Sequence, residues 1–353
     1  MSLNKVKVDW VAEGKSALLD LLSERLIIPW FEAESRISSS GWKSFRQVQP
    51  LQLHESRTSL VHSGDIIEER TKHTFSVVTV RLPFPPNRIK ELSRLRGARR
   101  KHYRTCLKWT NDETLCGKHA ERIVLDSLNH SAPQAGLYVP PQSIGKIKEV
   151  NGVQVLPGPL DNLAYILELP SFTSALPLVV EVKNINRWIY PWTKELWELL
   201  VKAADLATHF PIVPLLVCMR YAYPTRSMAM DIGFFCAPFV NQLFNPSIPE
   251  SDFQDIFDEF GLTIIQHNGP LDSINAFLTK TLRLSPPLSP PYDEDIQWYK
   301  RQAQRFTTIA PVILAYRNLA NNLKEDARSR MFSAFTTAAH AARQRQWPAV
   351  RGW

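Results

Sequence analysis

The chain has 353 residues, 44% of them apolar, enough to bury a sizeable core in one large domain or two ordinary ones. No apolar run approaches the roughly 18 residues that span a bilayer, and the N-terminus, MSLNKVKVDW, lacks the apolar stretch of a secretory signal, so a cytoplasmic protein without a membrane partner is expected. Four cysteines give no disulfide framework, and a net charge of +8 with a pI near 9.3 favours a polyanionic partner.

In VAEGKSALLDLLSERLIIPWF, from Val11 to Phe31, Leu18, Leu19, Leu21, Leu22 and Leu26 recur at helical spacing until Pro29. That pattern predicts a packing helix. The stretch up to Gly64 is rich in Ser, Gln and His without clear periodicity and predicts irregular structure. Thr74 to Leu82 has the β-branched content of a strand, closed by Pro83, Pro85 and Pro86. Next comes the densest basic region, RIKELSRLRGARRKHYR, in which Arg94, Arg96, Arg99, Arg100, Lys101 and Arg104 would contact several phosphates with Tyr103 stacking beside them. The same run also suits a solvated helical face with Leu92 and Leu95 turned inward.

CGKHAERIVLDSLNHS places Ala120, Ile123, Val124 and Leu128 on one helical face and Glu121 on an adjoining one. Pro133, Gly136, Pro140 and Pro141 then break the chain before a short extended segment at Val153 to Leu156. Gly158 to Asn184, GPLDNLAYILELPSFTSALPLVVEVKN, reads as two strands joined by a turn. An aromatic turn at Trp188 to Trp192 leads to a helix N-capped by Thr193, with Leu196, Leu199, Leu200, Ala203 and Leu206 as its buried stripe. Strands follow at Ile212 to Met219 and Asp231 to Ala237, then a short helix from Ser251 to Phe260, a strand at Leu262 to Gln266 and a helix from Leu271 to Leu282. From Cys116 this is a mixed α/β domain. Ser285 to Pro291, with four prolines, is the clearest linker. Beyond it, Asp293 to Arg345 is helical in pattern, with Pro311 expected to kink or break it, and ends in a basic tail. The domain layout expected is 1–105, 106–284 and 285–353.

The chemistry concentrates in Gly158 to Asn184. Side chains two apart on a strand share a face, so Glu181 and Lys183 project together while Val180 and Val182 face the core. A neighbouring strand carrying Asp161 would bring a second carboxylate beside Glu181, a donor pair suited to Mg²⁺ completed by waters and a phosphate oxygen. Taken singly, an E-x-K pair also serves as a surface salt bridge and an aspartate after Gly-Pro as turn chemistry. The joint reading is favoured because Glu181 and Lys183 end an otherwise apolar strand.

These residues, Gly158-Pro159-Leu160-Asp161 and then Val179-Val180-Glu181-Val182-Lys183-Asn184 about twenty residues on, resemble the motif of the PD-(D/E)xK, or restriction endonuclease-like, nuclease superfamily. The likeness in element order spans residues 116–282; identity is confined to the motif positions. It implies an α/β protein with a restriction endonuclease-like mixed-sheet core flanked by helices, an N-terminal extension and a C-terminal helical segment. It further implies that Asp161 and Glu181 hold Mg²⁺ or Mn²⁺, that Glu121 is a further ligand, and that Lys183 assists the nucleophilic water. Asn184 would orient a ligand from behind. The sequence departs from the pattern in the leucine between Pro159 and Asp161. It also lacks the glutamine that some subgroups carry in the helix after Thr193, where Lys202 stands without an assigned role. The implied activity is hydrolysis of DNA phosphodiester bonds by direct attack of water; the residues alone do not separate DNA from RNA and leave a homodimer or a partner protein open. Two other classes fit the chain: a non-catalytic nucleic-acid-binding protein on the same fold, and a structural protein that works through its C-terminal helices.

One second constellation is His102, Cys106, Cys116 and His119, spaced H-x3-C-x9-C-x2-H, four N and S donors that would suit a tetrahedral structural Zn²⁺. The spacing matches no common finger, and the other reading is a half-buried thiol pair. No Gly-rich phosphate loop, nucleophile elbow or HExxH is present, so NTPase, serine hydrolase and zinc protease readings lack support.

Overall fold

The structure is a computed structural model. It describes residues 8–39, 42–70, 78–83, 90–91, 94–95, 97–98, 101, 104–106, 116–142, 144–167, 175–239, 241–247, 249, 251, 254–262, 264–281, 292–322 and 337. The chain divides into two units, Met1–Asn111 with Pro246–Ile264, and Asp112–Asn245 with Ile265–Trp353. Among the described residues no helix is long and apolar enough to cross a membrane.

In the first unit, helix α1 (Trp10–Arg25) starts at Asp9, whose Oδ1 accepts hydrogen bonds from the amides of Val11 and Ala12. Its stripe of Ala17, Leu18, Leu21 and Leu22 shares a core with Ile28, Leu53, Leu60 and Val80. Strand β1 (Ile27–Pro29) leads into helix α2 (Trp30–Ala33), so Pro29 sits at the N-cap of a helix instead of closing one. Helix α3 (Pro50–Ser63) occupies part of the stretch expected to be irregular. The reason is legible in its buried face, Pro50, Leu53, Ser56, Arg57 and Leu60, where two polar residues take stripe positions and blur the apolar period. Ser56 Oγ donates to the carbonyls of Gln52 and Val11, and Arg57 stacks on Trp30 and pairs with Glu68. Strands β2 (Ile67–Arg70) and β3 (Val78–Arg81) complete an antiparallel sheet of order β1-β3-β2. Thr74 to Val77, the first part of the expected strand, lie outside the described residues. The short helix Gln254–Phe260 belongs to this unit because Arg36 donates to the carbonyls of Asp258 and Glu259 at its C-terminal end.

The second unit is a mixed α/β domain. Helix α4 (Lys118–Ala135) precedes β4 (Leu137–Tyr138), the small hairpin β5 (Glu149–Val150) and β6 (Val153–Gln154), and the long hairpin β7 (Asn162–Leu167) and β8 (Ala175–Ile189). Helix α5 (Lys194–Ala207) crosses over to β9 (Val213–Tyr221), and α6 (Tyr223–Ile232) to β10 (Phe235–Pro238). The sheet order is β10-β9-β8-β7-β4. Its β4–β7 and β7–β8 pairs are antiparallel, as a hairpin permits, whereas β8–β9 and β9–β10 are parallel, which requires the helical crossovers. Expected as a strand from Asp231, the chain instead keeps Asp231 and Ile232 in α6, because Thr225, Met228, Ala229 and Ile232 form a buried helical stripe. Gly233, at φ +90°, ends that helix.

Apolar side chains cover the sheet on both faces. One cluster joins Val179, Leu216 and Cys218 to α5 through Leu196, Leu199, Leu200 and Ala203. The other joins Val180, Val182, Leu215 and Val217 to α4 through Ala120, Ile123, Val124 and Leu128. Val213 to Met219 in β9 are all buried, the continuous apolar run of a strand covered on both sides. Helix α7 (Tyr292–Asn322) passes through Pro311 unbroken, because Phe306, Ile309, Ala310 and Ile313 bury against the α5 side of the sheet. The expected proline linker, Ser285 to Pro291, lies outside the described residues.

Candidate active site

The β7–β8 register pairs Asn162 with Val180. One antiparallel step further, Asp161 falls opposite Glu181, and opposite residues share a face. The Asp161 carboxylate closes the gap itself: its Oδ2 accepts a 2.6 Å hydrogen bond from the amide of Val182, inside the Glu181-Val182-Lys183 triplet. Alternation along β8 sends Val180 and Val182 to the α4 side and Glu181 and Lys183 toward α5.

There the triplet meets two residues of α5. Glu181 is 2% exposed and holds two ammonium groups. Lys183 Nζ lies 2.8 Å from its Oε1, while Lys202 Nζ lies 3.1 Å from Oε1 and 2.9 Å from Oε2. Lys202 also donates to the carbonyl of Pro159 at 2.7 Å, tying the turn before Asp161 to the helix. Lys183 makes a second ion pair with Glu198 at 3.0 Å. A buried carboxylate is costly unless paired and hydrogen-bonded, and these two lysines supply both conditions.

The electrostatics differ from one acid to the next. Burial, and then the charge of Glu181, push the Asp161 carboxyl up to about 7 against the opposing pull of the Val182 amide and Lys183, and Glu121 adds to the rise. Burial disfavours the Lys183 ammonium, yet the charges of Glu181 and Glu198 outweigh it and hold its pKa above the ordinary lysine value. Lys183 is therefore a cation at neutral pH and works as a donor and a charge, never as a base. For Glu198, burial opposes ionisation, but Lys183 and Lys194 prevail and keep its pKa below the usual range.

Glu121 sits in the first turn of α4, half-buried. Its backbone carbonyl accepts from Asn162 Nδ2 at 3.1 Å, which fixes that turn to the residue after Asp161. The loop at Gly145 wraps both acids. Its amide donates to the Asp161 carbonyl at 3.1 Å, its φ is +62°, and a Cβ there would stand 2.8 Å from Glu121 Oε2. Only glycine accommodates both demands.

Asn184 ties the end of the triplet to remote backbone. Its buried amide donates to the carbonyls of Cys116 at 2.8 Å and Leu243 at 2.6 Å and accepts from the Leu243 amide at 3.0 Å, so it clamps the chain at the end of the triplet. The other expected residues are spread over both units. Arg94, Lys101 and Arg104 are exposed and helical in the first unit, while Arg96, Arg99 and Arg100 lie outside the described residues. Cys106 is buried in the first unit, its thiol pushed up to about 12 by burial. Cys116 and His119 are in the second, with His119 Nε2 hydrogen-bonded to the His267 carbonyl at 2.8 Å; His102 lies outside the described residues.

Sequence reasoning passed over Lys202 and Glu198. Their signal was present, since Lys202 interrupts the apolar stripe of α5 between Leu199 and Leu206, and Glu198 precedes it by one helical turn. A lysine on the buried face of a helix needs an acid, and the strand beneath offered Glu181.

Among the described residues, no three of His, Cys, Asp and Glu gather as a closed metal cage. A Mg²⁺ site does not require one, because that ion keeps several waters and binds through one or two carboxylates plus substrate phosphate. Asp161 and Glu181 fit this donor set, and the raised pKa of Asp161 marks a carboxylate whose charge the protein leaves incompletely compensated. Comparison with family models, with curated proteins and with solved structures returns no match.

Proposed function

We propose that the second unit is a restriction endonuclease-like nuclease and that Asp161, Glu181 and Lys183 carry hydrolysis of DNA phosphodiester bonds. The single observation that supports it most is the seat of the Asp161 carboxylate on the Val182 amide, which joins the two halves of the motif at one point. A mixed sheet with an antiparallel hairpin, a helical crossover and a parallel third strand is in keeping with that fold.

Asp161 and Glu181 would hold Mg²⁺ or Mn²⁺, with Glu121 contributing from α4. When bound, the ion would supply Lewis-acid stabilisation of the charge that builds on the phosphoryl oxygens and would lower the pKa of a water it holds. Lys183 projects its ammonium from the same strand face as Glu181. It donates a hydrogen bond to orient the attacking water and offsets negative charge on the phosphoryl oxygens. Lys202 and the Pro159 carbonyl hold Glu181 and the Asp161 turn in place, so the donor atoms are positioned before substrate arrives. The basic run with Arg94, Arg96, Arg99, Arg100, Lys101 and Arg104 would contact backbone phosphates, and of these Arg94, Lys101 and Arg104 are exposed. DNA is preferred to RNA through the resemblance alone.

One observation favours a second reading, a non-catalytic nucleic-acid-binding protein: both oxygens of Glu181 are already occupied by ammonium groups. Incubation of supercoiled and linear DNA with Mg²⁺ or Mn²⁺ separates the two. Nicking that Lys183→Ala abolishes is the expected result, and intact DNA that wild type nonetheless binds selects the second reading.

A further inference from the structure

Arg220, near the end of β9, is 8% exposed. Among the described residues no acid pairs with it, and its guanidinium meets the Met219 sulfur at 3.9 Å. Burial alone pulls its pKa down to about 10. A buried charge without a counter-charge is among the costliest arrangements a fold can keep. Directly across the parallel β8–β9 ladder stands Trp188, paired in register with Arg220. Its indole Nε1 is buried and has no hydrogen-bond partner. Two cross-strand neighbours share a face, so one sheet position presents a cation without an acid partner among the described residues and an N–H donor without an acceptor.

The position is suggestive as well. Lys183 pairs with Cys218 on the same two strands, and after an irregularity in the ladder the Trp188–Arg220 pair follows toward their carboxyl ends. In open α/β sheets with parallel strands, ligands bind outside those ends. Arginine with a neighbouring N–H donor matches the donor needs of a phosphate group.

We propose that Arg220 and Trp188 form a subsite for a backbone phosphate of nucleic acid, next to the phosphate that is cut. The inference rests on the nuclease reading for the identity of the anion; the buried cation without an acid partner among the described residues and the unpartnered indole N–H stand independently of it. The anion would accept from the indole N–H and the guanidinium, which offsets the cost of burying them.

The test uses the full chain and a fluorescein-labelled DNA duplex in EDTA, with anisotropy read across a range of salt concentrations. Arg220→Met should bind roughly 10- to 100-fold more weakly at low salt, as for loss of a charge-assisted hydrogen bond. The slope of log affinity against log salt should shrink by about 0.9, the value for one phosphate contact. Trp188→Phe, which removes only the N–H donor, should weaken binding in the same direction. Without DNA, Arg220→Met should melt no lower than wild type, because an uncompensated charge has been removed. Affinity and slope unchanged in Arg220→Met, a lowered melting point without DNA, or a wild type that does not bind the duplex would each overturn the subsite. The nuclease reading fails separately: weakened binding by Arg220→Met together with no cleavage in Mg²⁺ sinks catalysis and keeps the subsite, whereas cleavage with unaltered binding does the reverse.

Discussion

Replacing Asp161 by Asn should stabilise the metal-free protein at neutral and alkaline pH, although it removes a residue of the candidate active site. The Asp161 carboxyl is pushed from 3.8 to about 7 in the folded state, first by burial and then by Glu181. The sign follows from proton linkage. Below pH ~4 the group is protonated in both states and contributes nothing. Between pH ~4 and ~7 the unfolded chain has lost the proton while the folded one keeps it, so stability falls as pH rises; above ~7 the penalty is constant. Each tenfold change in proton affinity is worth ~1.4 kcal/mol, so the full penalty approaches about 4 kcal/mol. Asparagine mimics the neutral acid, and its side-chain oxygen can still accept from the Val182 amide, so its profile lacks this decline. Urea denaturation of both proteins in EDTA from pH 4 to pH 8 measures the difference, in which other titrating groups cancel. The gap should open from near zero at pH 4 to as much as about 4 kcal/mol at pH 8 in favour of the variant. Mg²⁺ should then raise wild type selectively at pH 8, since a cation takes the place of the proton. Parallel profiles for the two proteins would show that Asp161 is not held in an acid-rich, desolvated site.

Lys202→Met should lower stability by about 3 kcal/mol, because Glu181 loses one of its two ammonium partners and the Pro159 carbonyl loses its donor; a urea midpoint equal to wild type would deny Lys202 its positioning role. Asn184→Ala strips three buried hydrogen bonds from the Cys116 and Leu243 backbone and should cost about 2–4 kcal/mol with no change in the pH profile, again read by denaturation. Gly145→Ala meets both an unfavourable φ of +62° and the Glu121 carboxylate. A loss of about 1–2 kcal/mol is expected, and Mg²⁺ affinity measured by calorimetry should fall if Glu121 belongs to the ion's site.

Much of the second unit was legible because its elements carry strong periodic signals. The α5 stripe, the apolar run Val213 to Met219 of β9 and the alternation in Glu181-Val182-Lys183 each determine a local structure before any tertiary contact forms. The Asp161–Glu181 juxtaposition could be anticipated from the hairpin, since a two-residue side-chain period and an antiparallel register leave few alternatives. What escaped was set by tertiary contacts. Helix α3 buries Ser56 and Arg57, whose hydrogen-bond and ion partners lie elsewhere in the chain and leave no local trace. Residues 254–260 join the first unit through Arg36, more than two hundred positions earlier. Asn184 looked like a companion to the triplet, but its partners are backbone groups remote in sequence. Lys202 was visible as an anomaly on an apolar stripe and needed only the rule that a buried cation demands an acid.

The central claim is that Asp161 and Glu181 form one divalent-cation site that cuts DNA. The most direct measurement is the nicking rate of supercoiled DNA in Mg²⁺ by wild type and Asp161→Asn, with the fold of each verified by circular dichroism. Mg²⁺-dependent nicking by wild type, abolished by EDTA and reduced at least ~100-fold in the well-folded variant, is the expected result. Nicking at an equal rate by Asp161→Asn, or none by wild type in Mg²⁺ or Mn²⁺, would contradict it.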